Sequence, residues 1–293
     1  MKSGFVSVVG RTNAGKSTLV NALIGEKIAI VSNKPQTTRY RIMGIKNEED
    51  IQIVFTDTPG IHAPKTRLGD FMVNEANESL NDTDVALLVV EPVDNVGRSE
   101  EKLIENLKKT GVPAILVINK IDTVKKDKLF SIMEKYSKVF EFDAIIPISA
   151  REKDGTGVLL EEIKKYLQEG PMFFPEDMVT DSPLKQRMAE IVREKLLWTL
   201  DKEVPHGIAI EVNNMGETDK KINLDVVIYC EKQSHKGIII GKNGELLKDV
   251  GTKSRIEIEK LIGKKVFLNL WVKVKEGWRD NNFLLKNFGF TEE

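Results

Sequence analysis

The chain has 293 residues, with 44 Lys and Arg against 45 Asp and Glu, a formal net charge of −1 and 41% hydrophobic residues. This length exceeds what one hydrophobic core usually holds, and the composition excludes a disordered or fibrous chain, so we expect about two domains. A single cysteine, Cys230, excludes an intramolecular disulfide, and no apolar run approaches the roughly 18 residues of a membrane span. The opening MKSGFVSVVG does not fit a signal peptide, so we expect a cytoplasmic protein.

Apolar runs and amphipathic stretches alternate from residue 1 to about residue 170. The predicted strands, in chain order, are 5–9, 51–57, 85–90, 114–119 and 144–149. Most of these runs are continuous, which is typical of strands buried on both faces. The predicted helices between and after them are 16–25, 66–80, 99–111 and 158–170. This alternation predicts a doubly wound, mainly parallel α/β sheet, and residues 39–45 add one antiparallel strand at its edge.

A stretch with three prolines, residues 169–183, interrupts this pattern and predicts a linker. After it come a predicted helix, two strands with polar alternation, a glycine-containing stretch, a long helix at about 245–262 and a strand at 265–275. This order is that of an α+β unit and differs from the first domain. We therefore predict domains at 1–172 and 183–293, joined by a linker at 173–182.

The second domain carries a basic segment. Residues 232–275 contain eleven Lys and Arg against four Asp and Glu, a net charge of +7 in a nearly neutral chain. Such a segment indicates a polyanionic partner for one part of the protein. A solvated, lysine-rich surface is the alternative that charge alone leaves open.

The stretch GRTNAGKST, residues 10–18, follows a predicted buried strand and opens a predicted helix, which is the context that a phosphate-binding loop requires. Gly10 and Gly15 allow the backbone to curl, so that its N–H groups and the helix N-terminus face the phosphates. Lys16 can reach the β- and γ-phosphates, and Ser17 can offer its hydroxyl to Mg²⁺. The pattern predicts a nucleotide site.

Further motifs at the ends of predicted strands indicate which nucleotide binds. In DTPG, residues 57–60, Asp57 can hold Mg²⁺ through a water, and the Gly60 N–H can meet the γ-phosphate. In NKID, residues 119–122, Asp122 can accept two hydrogen bonds from an edge of guanine that adenine lacks. Because ligands bind at the carboxyl edge of such sheets, these motifs predict a guanine nucleotide site there.

The NKID segment, residues 119–122, is called the guanine loop below, and other residues are expected to hold it in place and to contact the base. We expect Asn119 to brace this loop and Lys120 to pack over the base. In SAR, residues 149–151, we expect the Ala150 N–H to face the guanine O6.

This set of motifs resembles the GTP-binding domain of the GTPase superfamily. The resemblance places the first switch at QTTR, residues 36–39, and implies that Thr38, rather than Thr37, ligates Mg²⁺ and the γ-phosphate. Ras-like enzymes carry a water-orienting Gln where this chain has Ile61, so we expect slow hydrolysis that depends on assistance. Related GTPases with Asn at position 13 bind an activating K⁺ ion; the alternative is that Asn13 only hydrogen-bonds the switch.

A second glycine loop, GKNG at 241–244, lacks the Lys-Ser/Thr of a nucleotide loop. A G-x-x-G loop between two helices resembles the type II KH domain, in which the loop clamps the backbone of about four nucleotides. The resemblance implies that the loop contacts phosphates, that Ile239 and Ile240 form part of an apolar groove for bases, and that neighbouring basic side chains add salt-sensitive affinity for RNA. A glycine-punctuated turn without a ligand is the alternative.

The two halves together resemble the Era family of bacterial GTPases over essentially the whole chain. Motifs beyond the general GTPase set carry this resemblance: FPED in the linker, IIIGKNG, and LWVKVKEGW near the C-terminus. The family implies a GTP-hydrolysing switch that binds the 3′ end of small-subunit ribosomal RNA and assists assembly of the small ribosomal subunit, with peripheral membrane association also ascribed to it. We expect a monomer. A GTP-dependent RNA-modifying factor and an RNA-binding module with a decayed nucleotide site are the rival hypotheses.

The predicted site residues form three sets. The nucleotide contacts are Gly10, Arg11, Thr12, Asn13, Ala14, Gly15, Lys16, Ser17, Thr18, Asp57, Thr58, Pro59, Gly60, Ile61, Asn119, Lys120, Ile121, Asp122, Ser149, Ala150 and Arg151, with the switch threonines Thr37 and Thr38. The Mg²⁺ ligands are Ser17, Thr38 and Asp57, and the K⁺ ligand is Asn13. The RNA contacts are Lys236, Ile239, Ile240, Gly241, Lys242, Asn243, Gly244, Lys248, Lys253 and Arg255.

Overall fold

The computed structural model describes residues 1–60, 64–218 and 221–290, and two units can be distinguished within it. The first unit comprises Met1–Val31, Thr38–Pro64 and Gly69–Asp181. The second unit comprises Ser32–Thr37, Lys65–Leu68 and Ser182–Glu293. The division falls after Asp181; the domain limits at residues 172 and 183 stay a prediction.

The first 181 residues alternate strands and helices. The strands are β1 (Lys2–Val9), β2 (Ile42–Glu48), β3 (Ile51–Asp57), β4 (Val85–Val90), β5 (Ala114–Ile118), β6 (Ala144–Pro147) and β7 (Gln168–Glu169). The helices are α1 (Lys16–Ile24), α2 (Arg67–Glu78), α3 (Arg98–Thr110), α4 (Lys126–Val139) and α5 (Thr156–Ile163).

The sheet has the order β2-β3-β1-β4-β5-β6, and β1, β3, β4, β5 and β6 run parallel. β2 pairs antiparallel with β3, which confirms the predicted edge strand, and the short β7 also pairs antiparallel with β1. Every residue of β4 and β5 is buried, as expected for strands covered on both faces. Alternate residues face different cores: Leu87 belongs to one apolar cluster and Leu88 to another. Because β1, β3, β4, β5 and β6 are parallel, their carboxyl ends lie at the same edge of the sheet.

Helix α4 is absent from the predicted elements. Its side facing the sheet consists mainly of Ile132 and Tyr136, which are buried, whereas most of its other side chains are exposed or half-buried. Leu129, Ile132, Met133 and Tyr136 nevertheless follow the i, i+3, i+4, i+7 spacing of an amphipathic helix, and all four pack in or against one apolar cluster. The sequence therefore contained the signal for this helix.

Residues 173–181 lie along the edge of the first sheet. The Gln52 side chain, fully buried on β3, donates to the carbonyl of Phe174 (2.8 Å) and accepts from the N–H groups of Phe173 (2.7 Å) and Phe174 (3.0 Å). Further along, Ile45 N–H donates to the Val179 carbonyl at 2.9 Å. The segment therefore covers part of the backbone that β2 would expose at the sheet edge.

The second unit has an α+β arrangement. Its elements are α6 (Leu184–Thr199), β8 (Ala209–Glu217), β9 (Lys221–Cys230), α7 (Gln233–Ile240), α8 (Glu245–Ile262), β10 (Lys265–Val274) and α9 (Asn282–Asn287). The sheet order is β10-β9-β8, with β9 parallel to β10 and antiparallel to β8. Val192 of α6, Ile258 of α8 and Leu224 of β9 are among the residues of its apolar core. The order from α6 to β10 confirms the predicted KH-type fold.

Within the described ranges, the structure contains no helix with the length and apolar character needed to cross a membrane.

Replacing Gln52 with Leu should lower the free energy of unfolding by about 1 to 3 kcal/mol, because the partly buried N–H and carbonyl groups of residues 173 and 174 lose their partner. Urea unfolding followed by far-ultraviolet circular dichroism measures this change. The control is Gln168→Leu, which alters an exposed side chain and should change stability by less than about 0.5 kcal/mol. Equal stabilities of the two variants would contradict the proposed role of Gln52.

Candidate functional site

The phosphate loop between β1 and α1 is closely packed against its neighbours. A Cβ at Gly10 would lie 2.3 Å from the carbonyl oxygen of Val89, at the end of β4. Gly15 has φ of +94°, and a Cβ there would lie 2.2 Å from the Asn119 side-chain nitrogen. Both positions therefore require glycine, the first for close approach and the second also for its backbone conformation. The loop packs against the ends of two other strands.

Lys16 lies inside the curve of this loop. Its Nζ donates to the carbonyl oxygens of Gly10 and Arg11, both at 3.1 Å, and the side chain is buried. Burial lowers the pKa of Lys16 to about 8, although the nearby Asp57 carboxylate acts in the opposite direction. An anionic ligand in the loop would stabilise the ammonium form.

The three predicted Mg²⁺ ligands lie together. Ser17 Oγ donates to Asp57 Oδ2 at 2.6 Å and lies 2.8 Å from Thr38 Oγ1, and Thr38 Oγ1 donates to Asp57 Oδ2 at 3.3 Å. Burial raises the pKa of Asp57, opposed by Lys16 and by the hydrogen bonds from Ser17 and Thr38. Its second oxygen, Oδ1, is buried and makes no hydrogen bond among the described residues. This set of hard oxygen donors fits Mg²⁺.

The adjacent switch threonine has different partners. Thr37 Oγ1 donates to the Lys34 carbonyl at 2.6 Å and lies 2.6 Å from Ser32 Oγ. The structure therefore turns the hydroxyl of Thr38, and not that of Thr37, towards Asp57.

The DTPG segment packs behind the phosphate loop. Thr58 Oγ1 donates to the Val8 carbonyl at 2.8 Å, which fixes the segment to β1. A Cβ at Gly60 would lie 2.6 Å from the Thr12 Cα, so only glycine allows this approach. Pro59 lies between these two residues in the chain, and Ile61 lies outside the described residues.

Asn119 connects three loops of the candidate nucleotide site. Its Nδ2 donates to the Ala14 carbonyl at 2.9 Å, and its Oδ1 accepts from the N–H groups of Lys120 (2.8 Å) and Ala150 (3.0 Å). The Ala150 N–H, expected to face the base, donates to Asn119 in this structure. The bracing role expected for Asn119 corresponds to these contacts.

Asp122 lies at the expected end of the guanine loop. Its Oδ1 accepts from Ser149 Oγ at 2.7 Å, and its Oδ2 accepts from Arg151 Nη2 at 3.1 Å. The Asp122 side chain is 20% exposed and the Arg151 side chain 75% exposed, so Arg151 can move aside at little cost. Ile121 begins a turn of 3₁₀ helix that carries Asp122.

One acidic residue at the same edge of the sheet, Glu91, is not among the predicted site residues. Glu91 directly follows the buried run of β4, and its carboxylate pairs with Arg11 and Lys120. Its position in the sequence could have indicated this, because a charged residue that directly follows a fully apolar strand lies at the ligand-binding edge of a parallel sheet.

The GKNG loop connects α7 to α8 through unusual backbone conformations. Gly241 has φ of +76° and ψ of 175°, and a Cβ there would lie 2.6 Å from the Leu246 Cβ. Asn243 and Gly244 have φ of 52° and 77°, and a Cβ at Gly244 would have no neighbour within 4 Å. The first glycine thus allows the loop to close, whereas the second leaves its backbone accessible.

Beside this loop, a groove of about 390 Å³ lies between α8 and β10. Its lining residues are Gly244, Leu247, Lys248, Gly251, Thr252, Arg255, Leu268 and Leu270. The groove is therefore apolar at its base and carries two cations. Such a surface suits a chain of phosphates with attached bases.

The structure separates the other predicted RNA contacts. Ile239 is fully buried in the core of the second unit, and Ile240 packs against that core, so the apolar groove wall expected from them comes instead from α8 and β10. Lys236 is half-buried on α7, whereas Lys253 is exposed and pairs with Asp249 at 2.7 Å. Lys242 is exposed on the loop.

Comparisons with known proteins agree with both halves. Residues 5–120 match a family described as a 50S ribosome-binding GTPase, and residues 203–279 match the KH domain. The chain is 52% identical over 290 residues to GTPase Era of Ruminiclostridium cellulolyticum, covering 99% of this chain and 97% of that protein. It is 51% identical over 292 residues to GTPase Era of Clostridium perfringens, covering 99% of each.

Two solved structures are similar over the full length of both chains. One is Era in complex with MgGDPNP and nucleotides 1506–1542 of 16S ribosomal RNA, with 40% identity and a TM-score of 0.96. The other is an Aquifex aeolicus Era variant bound to GDP·AlF4⁻, also with 40% identity and a TM-score of 0.96.

Replacing Asp122 with Asn should weaken GTP and GDP binding by at least about 100-fold and shift preference towards xanthine nucleotides, because an amide cannot accept both hydrogen bonds from guanine. Fluorescence titration with labelled guanine and xanthine nucleotides measures both effects. Asp127→Asn, an exposed residue in the first turn of α4, is the matched control and should bind normally. Retained guanine selectivity in the Asp122 variant would refute this assignment.

Proposed function

Since this chain belongs to the Era family of GTPases, we propose that it hydrolyses GTP and binds the 3′ end of small-subunit ribosomal RNA through its KH fold, assisting assembly of the small ribosomal subunit. The observation that carries this proposal is the combination of two phosphate-binding loops of different design in one chain. One closes around Lys16 beside the Ser17–Thr38–Asp57 cluster, and the other opens onto a basic groove. A protein with this function acts in the cytoplasm, where ribosomes assemble.

The nucleotide site holds its ligand through charge and geometry. Ser17, Thr38 and Asp57 would hold Mg²⁺, which would neutralise charge that develops on the transferred phosphoryl group. Lys16 meets the β- and γ-phosphates, and Asp122 selects guanine. These side chains position the nucleotide and exclude other bases.

Hydrolysis by this chain is slow without assistance. At position 61 it carries Ile, which cannot orient the attacking water as a Gln does. Asn13, exposed on the phosphate loop with φ of 65°, is the candidate ligand of an activating K⁺ ion. A cation beside the phosphates stabilises the same negative charge that an arginine finger stabilises in other GTPases.

The RNA site uses the backbone and cations of the second unit. The accessible backbone at Gly244 and the exposed Lys242 meet phosphates, and Lys248 and Arg255 line the groove. The leucines at the base of the groove, Leu268 and Leu270, provide an apolar surface for bases. The Era whose structure contains 16S ribosomal RNA nucleotides is the relative that supports this assignment.

Nucleotide state and RNA affinity are coupled through the first switch. Within the second unit, the buried Arg193 of α6 donates through Nη2 to the carbonyl of Thr37 and through Nε to Glu190 at 2.7 Å. Lys34 also donates to Asp201 at 2.5 Å. Thr37 is joined by one peptide bond to Thr38, the Mg²⁺ ligand. Thr38, which GTP would order, is thus the direct chain neighbour of a residue that α6 holds. The expected outcome is that RNA binds the GTP state more tightly than the GDP state.

GTP turnover tests the proposed function. We expect slow hydrolysis in Na⁺, faster hydrolysis in K⁺, and a further increase on addition of RNA containing the 3′ end of 16S ribosomal RNA. Each rate is measured as phosphate release at saturating GTP, with an RNA of scrambled sequence as the control. Absence of turnover under all of these conditions would exclude a GTPase, whereas equal rates in K⁺ and Na⁺ would exclude only the role of Asn13.

Replacing Lys242 with Asp and Asn243 with Asp should abolish RNA binding while leaving GTP affinity unchanged, because the phosphate-facing loop gains two negative charges and loses one positive charge. RNA affinity is measured by fluorescence anisotropy with the protein bound to GDP or to a non-hydrolysable GTP analogue.

The control pair is Lys286→Asp with Asn287→Asp, an exposed Lys-Asn pair at the end of α9 that gives the same change in charge. This control should bind RNA normally. Equal RNA affinity of the unmodified protein in both nucleotide states would contradict the coupling.

A further inference from the structure

One carboxylate at the end of β4 contacts two loops of the nucleotide site. Glu91 Oε2 pairs with Arg11, the second residue of the phosphate loop, and Glu91 Oε1 accepts from Lys120 Nζ of the guanine loop at 2.5 Å. The Glu91 side chain is 24% exposed, so both ion pairs are partly shielded from water. Neither the phosphate-loop motif nor the guanine motif includes this residue.

The contacts of Lys120 extend this connection. Its Nζ also donates to the carbonyl of Asn13 at 2.6 Å. Lys120 itself has φ of 62°, a left-handed conformation that is unfavourable for a side chain other than Gly, Asn or Asp. The contacts Glu91–Arg11, Glu91–Lys120 and Lys120–Asn13 therefore enclose residues 11–13 of the phosphate loop. They hold Lys120 in this conformation over the region where the base binds.

Charge favours an ionised Glu91. Burial alone would raise its pKa, but the hydrogen bonds and charges of Lys120 and Arg11 outweigh burial and lower the pKa of Glu91. A partly buried ion pair that loses one partner leaves the other charge uncompensated, which costs more than the pair itself contributes.

The two cations do not depend equally on Glu91. Arg11 Nε also lies 3.5 Å from Glu100 Oε1, and Glu100 is almost fully buried, with 1% exposure, at the start of α3, where its other oxygen accepts from the Gly97 N–H at 2.7 Å. Arg11 thus has a second, fixed acidic partner. Loss of the charge on Glu91 should act mainly on Lys120 and the guanine loop.

We propose that Glu91 is a positioning residue that fixes the guanine loop against the phosphate loop and thereby sets the rate at which the nucleotide dissociates. This inference rests on the proposed binding of guanine nucleotides. Glu91 does not face the γ-phosphate partners Lys16, Ser17 or Asp57 through any contact in the described residues. Its direct contacts are with the loops that retain the nucleotide, and its link to the hydrolytic step runs only through Asn13, the candidate K⁺ ligand.

The test is the dissociation of a fluorescent GDP from Glu91→Gln, measured by stopped flow after addition of excess GDP. We expect dissociation to be faster by about tenfold or more, since a charge-assisted hydrogen bond is lost. Turnover at saturating GTP in Na⁺, where the K⁺ role proposed for Asn13 does not contribute, should stay within about twofold of the unmodified protein, because a change that alters only binding affects KM and leaves kcat unchanged. Glu101→Gln, an exposed residue of α3, is the matched control and should release GDP normally.

A double-mutant cycle separates positioning from a general loss of structure. If Glu91 acts through Lys120, adding Glu91→Gln to Lys120→Met should accelerate release little beyond Lys120→Met alone. The variant Glu91→Asp retains the charge on a shorter side chain and should give a smaller acceleration than Glu91→Gln.

Three results would overturn the inference. They are unchanged release from Glu91→Gln, independent effects in the double-mutant cycle, and an acceleration that Glu91→Asp shares in full. Failure of the unmodified protein to bind GDP would instead refute the proposed function, so the two failures are distinguishable.

Discussion

The burial of two opposite charges, Lys16 and Asp57, is the constraint on which the nucleotide site depends. Both side chains are buried at the carboxyl edge of the sheet, where desolvation favours the neutral form of each: it lowers the pKa of Lys16 and raises that of Asp57. Protein groups compensate these charges only in part, since Asp57 Oδ1 makes no hydrogen bond among the described residues. A ligand that brings both a cation and phosphates compensates both charges at once. The site therefore favours a metal–nucleotide complex over either component alone.

The two glycine loops, residues 10–15 and 241–244, use glycine in the same way although we expect them to bind different ligands. In each loop, one glycine permits a close approach that a Cβ would prevent: Gly10 against Val89, and Gly241 against Leu246. The loops differ in the residues after their second glycine. Gly15 precedes a buried lysine and a hydroxyl proposed as a metal ligand, whereas Gly244 precedes a helix whose exposed face carries Lys248. An enclosed loop with a buried cation suits a terminal polyphosphate, and an open loop beside a groove suits a phosphate backbone that continues in both directions.

Much of this architecture could be predicted from the sequence because the buried strands are continuous apolar runs. β3 and β4 have the predicted limits, and α8 begins and ends where two glycines, Gly244 and Gly263, take positive φ. The features that escaped prediction depend on contacts distant in the chain. The backbone groups of Phe173 and Phe174 that Gln52 binds, for example, lie more than a hundred residues away in the chain. Helix α4 is an exception, because its apolar spacing at Leu129, Ile132, Met133 and Tyr136 is present in the sequence. Ile239 was predicted to line the groove but is buried in the core. Its position in an apolar run next to a glycine loop is compatible with either place, so the sequence alone does not distinguish them.

The adjacent residues Thr37 and Thr38 of the first switch have different hydrogen-bond partners. Thr38 belongs to the first unit and directs its hydroxyl at Ser17 and Asp57, whereas Thr37 belongs to the second unit, where its carbonyl accepts from Arg193. The Thr37 carbonyl and the Thr38 Cα belong to one planar peptide group, so the backbone positions of these two residues depend on each other. Whatever favours one position of Thr38 thus favours some arrangements of Thr37 and Arg193 over others. By linkage, any RNA that favours those same arrangements must also increase affinity for the nucleotide that positions Thr38.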